Sequence, residues 1–195
     1  MAEPIRTSPL ADLARPERSL AGPAPVALAA LPFTGKLILR GGDEVRAKAA
    51  EALGFALPEP RRGTAGEGAR ALWLGPDEWL LLVPAEAAGT AAAALREALA
   101  GLHHAVVVVS DRLTGIAVDG PRSREALNAG CPLDLHRRAF APGTVVRTLL
   151  GKVAVVLHRP EDDDRFELHV NGSLAPYAWR FLENAAREFG CSIAA

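Results

Sequence analysis

The sequence predicts an α+β fold in which a strand-helix-strand-strand-helix unit occurs twice, each copy forming an antiparallel sheet with helices packed on it. Three observations carry this. After Phe33, apolar runs of strand length alternate with segments of helical period. The stretch TGKLILRGGDEVRAKAAEALG from Thr34 resembles TGIAVDGPRSREALNAG from Thr114: each runs Thr-Gly, strand, Gly, a helix with Ala-Leu near its end, and Gly, as an internal duplication does. LWLGPDEWLLLVP, residues 72–84, sets two tryptophans on two apolar runs joined by a polar turn.

Residues 1–32 hold Pro, Ala, Arg and Leu with no sustained period and cannot build a core by themselves. They form an extended N-terminal arm lying on another protein, or a mobile tail. The recurring Leu10, Leu13, Leu20, Val26, Leu28 and Leu31 favour the arm, because a free tail gains little from them.

Residues 33–102 form the first α+β subdomain. GKLILRG reads as a strand, DEVRAKAAEALG as a helix with Asp43 as its N-cap and Gly54 as its stop, and TAAAALREALAG as a second helix with Thr90 and Gly101 in the same positions. Gly63 to Gly68 reads as a loop. In the tryptophan hairpin, Pro76 presets φ within the turn Gly75-Pro76-Asp77-Glu78. The two runs are apolar on alternate residues of both kinds, so both faces of the hairpin are covered. Trp73 and Trp79 therefore anchor a core or, on the second face, a partner.

Residues 103–195 form the second subdomain. HAVVVVSD is a buried strand and TGIAVDG another; PRSREALNAG is a helix opened by Pro121; TVVRTLLG, KVAVVLHR and FELHVNGS are strands before the helix LAPYAWRFLENAAREFG.

The 195 residues are 49% hydrophobic and 23% charged, enough for a sizeable interior. A formal net charge of -1 advertises neither nucleic acid nor an acidic membrane as partner. Cys131 and Cys191 are too far apart for a zinc ribbon and too few for a disulfide framework, which points to a reducing cytoplasm. No apolar stretch reaches the roughly eighteen residues of a membrane helix, and no secretory leader pattern opens the chain.

No self-sufficient active site assembles from the motifs. The Gly63, Gly66 and Gly68 loop leads into a strand, so the helix N-terminus that holds a phosphate is missing, and Asp43-Glu44 after Gly41-Gly42 repels an anion. Cys131, Asp134 and His136 in CPLDLH lack a further ligand cluster, His103 and His104 are neighbours that point apart, and His158 and His169 read as an exposed cross-strand pair. Ser110 reads as a strand-end cap, Cys131 precedes a proline, and Glu161 to Asp164 form a solvated hairpin loop. Catalytic residues and metal ligands are expected to be none.

LWLGPDEWLLL, SDRLTGIAVDGPRSREALNAGCPLDLHRRAFAPGTVVRTLLGKVAVVLHR and FELHVNGSLAPYAWRFLENAAREFG together resemble the gamma subunit of heterotetrameric sarcosine oxidase, over about Pro9 to Gly190. More remotely the chain is similar to aminomethyltransferase, the folate-binding T-protein of glycine cleavage, and so implies that fold. The resemblance implies a non-catalytic gamma chain working in assembly with alpha, beta and delta subunits. That complex oxidises sarcosine to glycine, yields hydrogen peroxide and passes a one-carbon unit to tetrahydrofolate. FAD, FMN, NAD and zinc are implied for the other chains, and none for this one. Leu10, Leu13, Trp73 and Trp79 are the candidate partner contacts. Asp134 matches the place of a T-protein folate-site Asp, although Leu133 replaces the preceding Asn; a turn-fixing role is the usual one for such a residue. The alternative is a stand-alone tetrahydrofolate-binding or aminomethyl-transfer module, with Asp134 beside Arg112 or Arg147. A homodimer that buries the tryptophan edge is a third reading.

Overall fold

The computed structural model describes residues 6–19, 24–160 and 164–194. In chain order the elements are β1 (Val26–Ala30), β2 (Gly35–Gly41), α1 (Asp43–Leu53), β3 (Gly63–Gly66), β4 (Ala69–Gly75), β5 (Glu78–Val83), α2 (Ala88–Ala98), β6 (His104–Val108), β7 (Leu113–Asp119), α3 (Ser123–Asn128), β8 (Val145–Leu150), β9 (Val153–His158), β10 (Phe166–Asn171), α4 (Ala175–Ala186) and β11 (Cys191–Ala194). They build a five-stranded sheet in the order β3-β4-β5-β2-β6 and a six-stranded one in the order β11-β1-β7-β10-β9-β8. All pairings are antiparallel except that of β1 with β11.

Strand alternation divides the molecule into layers. Leu37, Leu39, Trp79 and Leu81 pack with Val45 and Ala49 of α1 and Ala92 and Leu95 of α2. Phe166, Leu168 and Val170 pack with Ala126 and Leu127 of α3 and Ala178, Trp179 and Leu182 of α4. The remaining faces meet each other, with Leu72, Leu74, Leu80 and Leu82 of the first sheet against Val145 and Val156 of the second. The order is helices, sheet, sheet, helices. Burying each such aliphatic or aromatic side chain contributes roughly 1.5–3 kcal/mol before entropy is counted. The sheets also join at their edges: Val145 N donates to Arg61 O and Gly63 N to Gly143 O, both at 2.9 Å. Arg147 on β8 reaches across to Glu78 in the tryptophan turn with two 2.9 Å hydrogen bonds.

The duplication survives in the topology. In the first sheet β2 lies between β5 and β6; in the second β7 lies between β10 and β1. Thus β1, from the N-terminal segment, takes the place that β6 holds in the other sheet, and β11, which follows α4, runs beside β1 on the outside.

Several expectations are corrected. The N-terminal segment is no separate arm, because β1 pairs on both sides and Leu10 (0% exposed) and Leu13 (9%) belong to the second sheet's core. Leu20 lies outside the described residues. HAVVVVSD is an edge strand of the first sheet rather than a buried strand of the second, and it leaves Val107 and Val108 half exposed. The glycine loop contains β3, paired with β4, and only Gly68 (φ 71°) turns it. Gly42, not Asp43, caps α1, while Gly54 ends it in a left-handed conformation (φ 75°) as expected. Helix α2 begins before Thr90 and closes at Leu99, short of Gly101, and α3 begins at Ser123, past Pro121.

One turn depends on a missing side chain. Gly120 has φ 102°, and a Cβ there would sit 2.4 Å from Pro25 O, next to β1. Gly120→Ala is expected to lower stability by about 2 kcal/mol in urea denaturation, through both the backbone conformation and the clash.

Candidate functional site

The same alternation that sends Leu37, Ala71, Leu157 and Leu168 toward helices turns Lys36, Arg70, His158, Glu167 and His169 toward the gap between the sheets. Lys36 (3%), His158 (4%), Glu167 (5%) and His169 (3%) are nearly inaccessible. Arg70 donates to Glu167 at 3.0 Å, and Arg165 lies 3.6 Å from the other carboxylate oxygen while holding Asp119 at 2.7 Å. His158 Nδ1 is 3.8 Å from Glu167. The Lys36 ammonium donates to Thr34 O at 3.1 Å and has no carboxylate within ion-pair distance among the described residues. Neither ring nitrogen of His169 has a hydrogen-bond partner among the described residues.

Electrostatics follow from burial and these neighbours. Burial by itself would raise the Glu167 carboxyl, but neighbouring His158 and the Arg70 guanidinium outweigh it and hold the group at about 2. Burial depresses His169 to about 3 against the pull of Glu167, so the imidazole is neutral at pH 7. Burial also lowers Lys36, with the charge of Asp111, which lines the adjoining cavity, opposing. A cavity of about 230 Å³ is lined by Lys36, Arg70, Glu167 and His169 together with Leu31 and Leu82. It abuts a second one of about 420 Å³ that shares Leu31, Lys36 and Gly115 and reaches Arg6 and Phe33. The chamber presents cations, the arginine-paired Glu167 carboxylate, a neutral imidazole and an apolar wall, a set suited to holding a ligand.

The candidates named from sequence lie elsewhere. Asp134 is exposed, and its side chain accepts a 2.9 Å bond from His136 N, which fixes the turn. Trp79 is 2% exposed and donates to Pro58 O at 3.4 Å; Trp73, its direct cross-strand partner, is partly buried on the same face. Arg112 bonds Asn171 and Arg147 bonds Glu78, away from Asp134. Ser110 is buried and accepts from Lys36 N. Cys131 and Cys191 are free and buried, and burial with nearby Glu183 pushes Cys191 up to about 11. No group of three His, Cys, Asp or Glu able to hold a metal occurs among the described residues. Of the acidic loop, 161–163 lie outside the described residues, and Asp164 pairs with Arg124 and Arg137. His158 and His169, expected as an exposed facing pair, are buried and out of register: Glu167 lies opposite His158, and Val156 opposite His169. The signal for the chamber was a polar residue at alternate strand positions, Lys36 in GKLILRG and Glu167 with His169 in FELHVN.

These stacked sheets belong to the aminomethyltransferase class of folds. Aminomethyltransferase T of the glycine cleavage system from Bartonella henselae superposes with a TM-score of 0.59 at 17% identity, over 82% of this chain and 45% of that one, a likeness of fold alone. The particular family is that described as sarcosine oxidase, gamma subunit family, whose model matches residues 41–188, and the chain belongs to it. Sarcosine oxidase subunit gamma from Arthrobacter sp is 33% identical over 168 residues, 84% of this chain and 82% of the relative. In the structure of heterotetrameric sarcosine oxidase from Corynebacterium sp. U-96, a chain matches with a TM-score of 0.86 at 30% identity, over 97% of this chain and 99% of that one.

Proposed function

We propose that this chain acts as the gamma subunit of a heterotetrameric sarcosine oxidase, a non-catalytic component that works in assembly of the complex. The observation that carries this is the correspondence, nearly end to end on both sides, with a chain of a solved heterotetrameric sarcosine oxidase. In this reading alpha, beta and delta chains supply FAD, FMN, NAD and zinc, sarcosine is demethylated to glycine with release of hydrogen peroxide, and the one-carbon unit goes to tetrahydrofolate. The complex works in the cytoplasm; no helix among the described residues is long and apolar enough to cross a membrane.

Of the four side chains named as partner contacts, Trp73 is the one that keeps surface, since Leu10, Leu13 and Trp79 are each at most 9% exposed. Co-expression with alpha, beta and delta chains is expected to give one stable complex containing all four by gel filtration with light scattering. Trp73→Ala is expected to weaken that complex about tenfold or more, as loss of an interface tryptophan does, while unfolding the lone chain less than Trp79→Ala. Failure of the wild-type chain to co-elute with the other three would sink the reading.

A further inference from the structure

We infer that the chamber between the two sheets is a binding site for one small aliphatic monocarboxylate, held by the Lys36 ammonium and the His169 imidazole. This goes beyond the assembly role and does not rest on it.

Charge sets the class of ligand. Arg70 is matched by Glu167, and Arg165 by Asp119. Lys36, far more enclosed than either arginine, has the Thr34 carbonyl oxygen at 3.1 Å and the Phe33 ring centroid at 5.2 Å from its ammonium, and no carboxylate within ion-pair distance among the described residues. A cation left so is costly, and a single negative charge beside it restores balance, whereas a dianion would overshoot. Burial weakens the ammonium's hold on its proton, and an adjacent carboxylate reverses that.

His169 is the independent second observation. It is 3% exposed, lines the chamber and has both ring nitrogens unpartnered among the described residues. A neutral imidazole offers one N–H donor, which suits a carboxylate oxygen without adding a second positive charge. Leu31, Pro32 and Leu82 form the apolar part of the wall, beside Thr34 and the internally paired Arg70, Arg165 and Glu167, so the tail that follows the carboxylate is short and packs on the apolar side. The larger adjoining cavity, with Arg6 56% exposed at its rim, gives the route in. Gly115 keeps that junction open, since a Cβ there would come within 2.7 Å of Leu31.

Calorimetry on the purified full chain at pH 7 tests this with propionate, propionamide and inorganic phosphate as probes. Propionate is expected to bind at one site with a Kd of roughly 1 mM, the scale open to a ligand of so few atoms. Propionamide and phosphate should each bind at least about tenfold more weakly, a difference of about 1.4 kcal/mol. Lys36→Met, with circular dichroism to verify its fold, should abolish propionate binding, and His169→Gln should weaken it several-fold. In the wild-type chain the His169 ring resonances should shift on addition of propionate. The inference is overturned by no saturable propionate binding up to about 50 mM, by propionamide or phosphate binding as tightly, or by unchanged affinity in folded Lys36→Met. The comparison of probes on the wild-type chain decides the matter without any variant, and it is read independently of co-elution with other subunits.

Discussion

Replacing Trp179 with alanine is expected to destabilise the chain by about 4 kcal/mol, the upper part of the range for large-to-small changes in a core. Trp179 is 0% exposed and heads the fully buried side chains by volume, on the face of α4 that packs against the second sheet. Its removal opens a void in a core whose members come from β1, β7, β9, β10 and β11, so no single element can collapse into the space. Its indole N–H has no hydrogen-bond partner among the described residues, which costs about 1–3 kcal/mol. Trp179→Phe, which keeps a ring and deletes that donor, should therefore lose far less than Trp179→Ala. Urea denaturation of both variants measures the difference; for the alanine variant Tm should drop by roughly 10 °C. Equal losses in the two variants would refute the expectation that the void sets the cost.

Stability is also expected to fall steadily as pH drops below about 6.5, ahead of ordinary carboxylate titration. His169 sits at about 3 in the folded chain against 6.5 for a free imidazole. Between those values the unfolded chain takes up a proton that the folded chain refuses, so acid favours unfolding, by at most about 1.4 kcal/mol per pH unit. Glu167, at about 2 against 4.5, adds a second loss in a lower window. Its carboxylate stabilises the native state above pH 4.5, and that contribution disappears as pH falls toward 2. His169→Gln should flatten the profile from 6.5 to 4.5 and leave the steeper fall beneath it. Denaturant midpoints measured at pH 7, 5.5, 4.5 and 3 check this; parallel curves for the two proteins would refute the assignment.

Local patterning carried much of the architecture. GKLILRG, the tryptophan hairpin and the three strands from Val145 to Asn171 announced themselves by length and bounding turns, and the Thr34 and Thr114 stretches disclosed the duplication. What escaped was long-range. VALAA is too short and alanine-rich to read as a strand, yet it is held between β7 and β11, whose partners lie far along the chain. Four consecutive valines cannot distinguish an edge from a central strand, because that depends on what pairs beyond them. In the chamber, the alternation of Lys36, Glu167 and His169 was visible in the sequence. Their convergence with Arg70 was not, since it arises only when two separately folded sheets stack.

The placement of β1 bears on the order in which the chain acquires structure during synthesis. The first sheet can close as soon as Val108 has left the ribosome, since all its strands lie between Gly35 and that residue. The second sheet begins with residues made earlier still, yet the edge strand that covers them is Cys191–Ala194. Val26–Ala30 can therefore pair with β7 once Asp119 has emerged, but its other edge stays open until Cys191–Ala194 has been made, by which time the first sheet can already have closed.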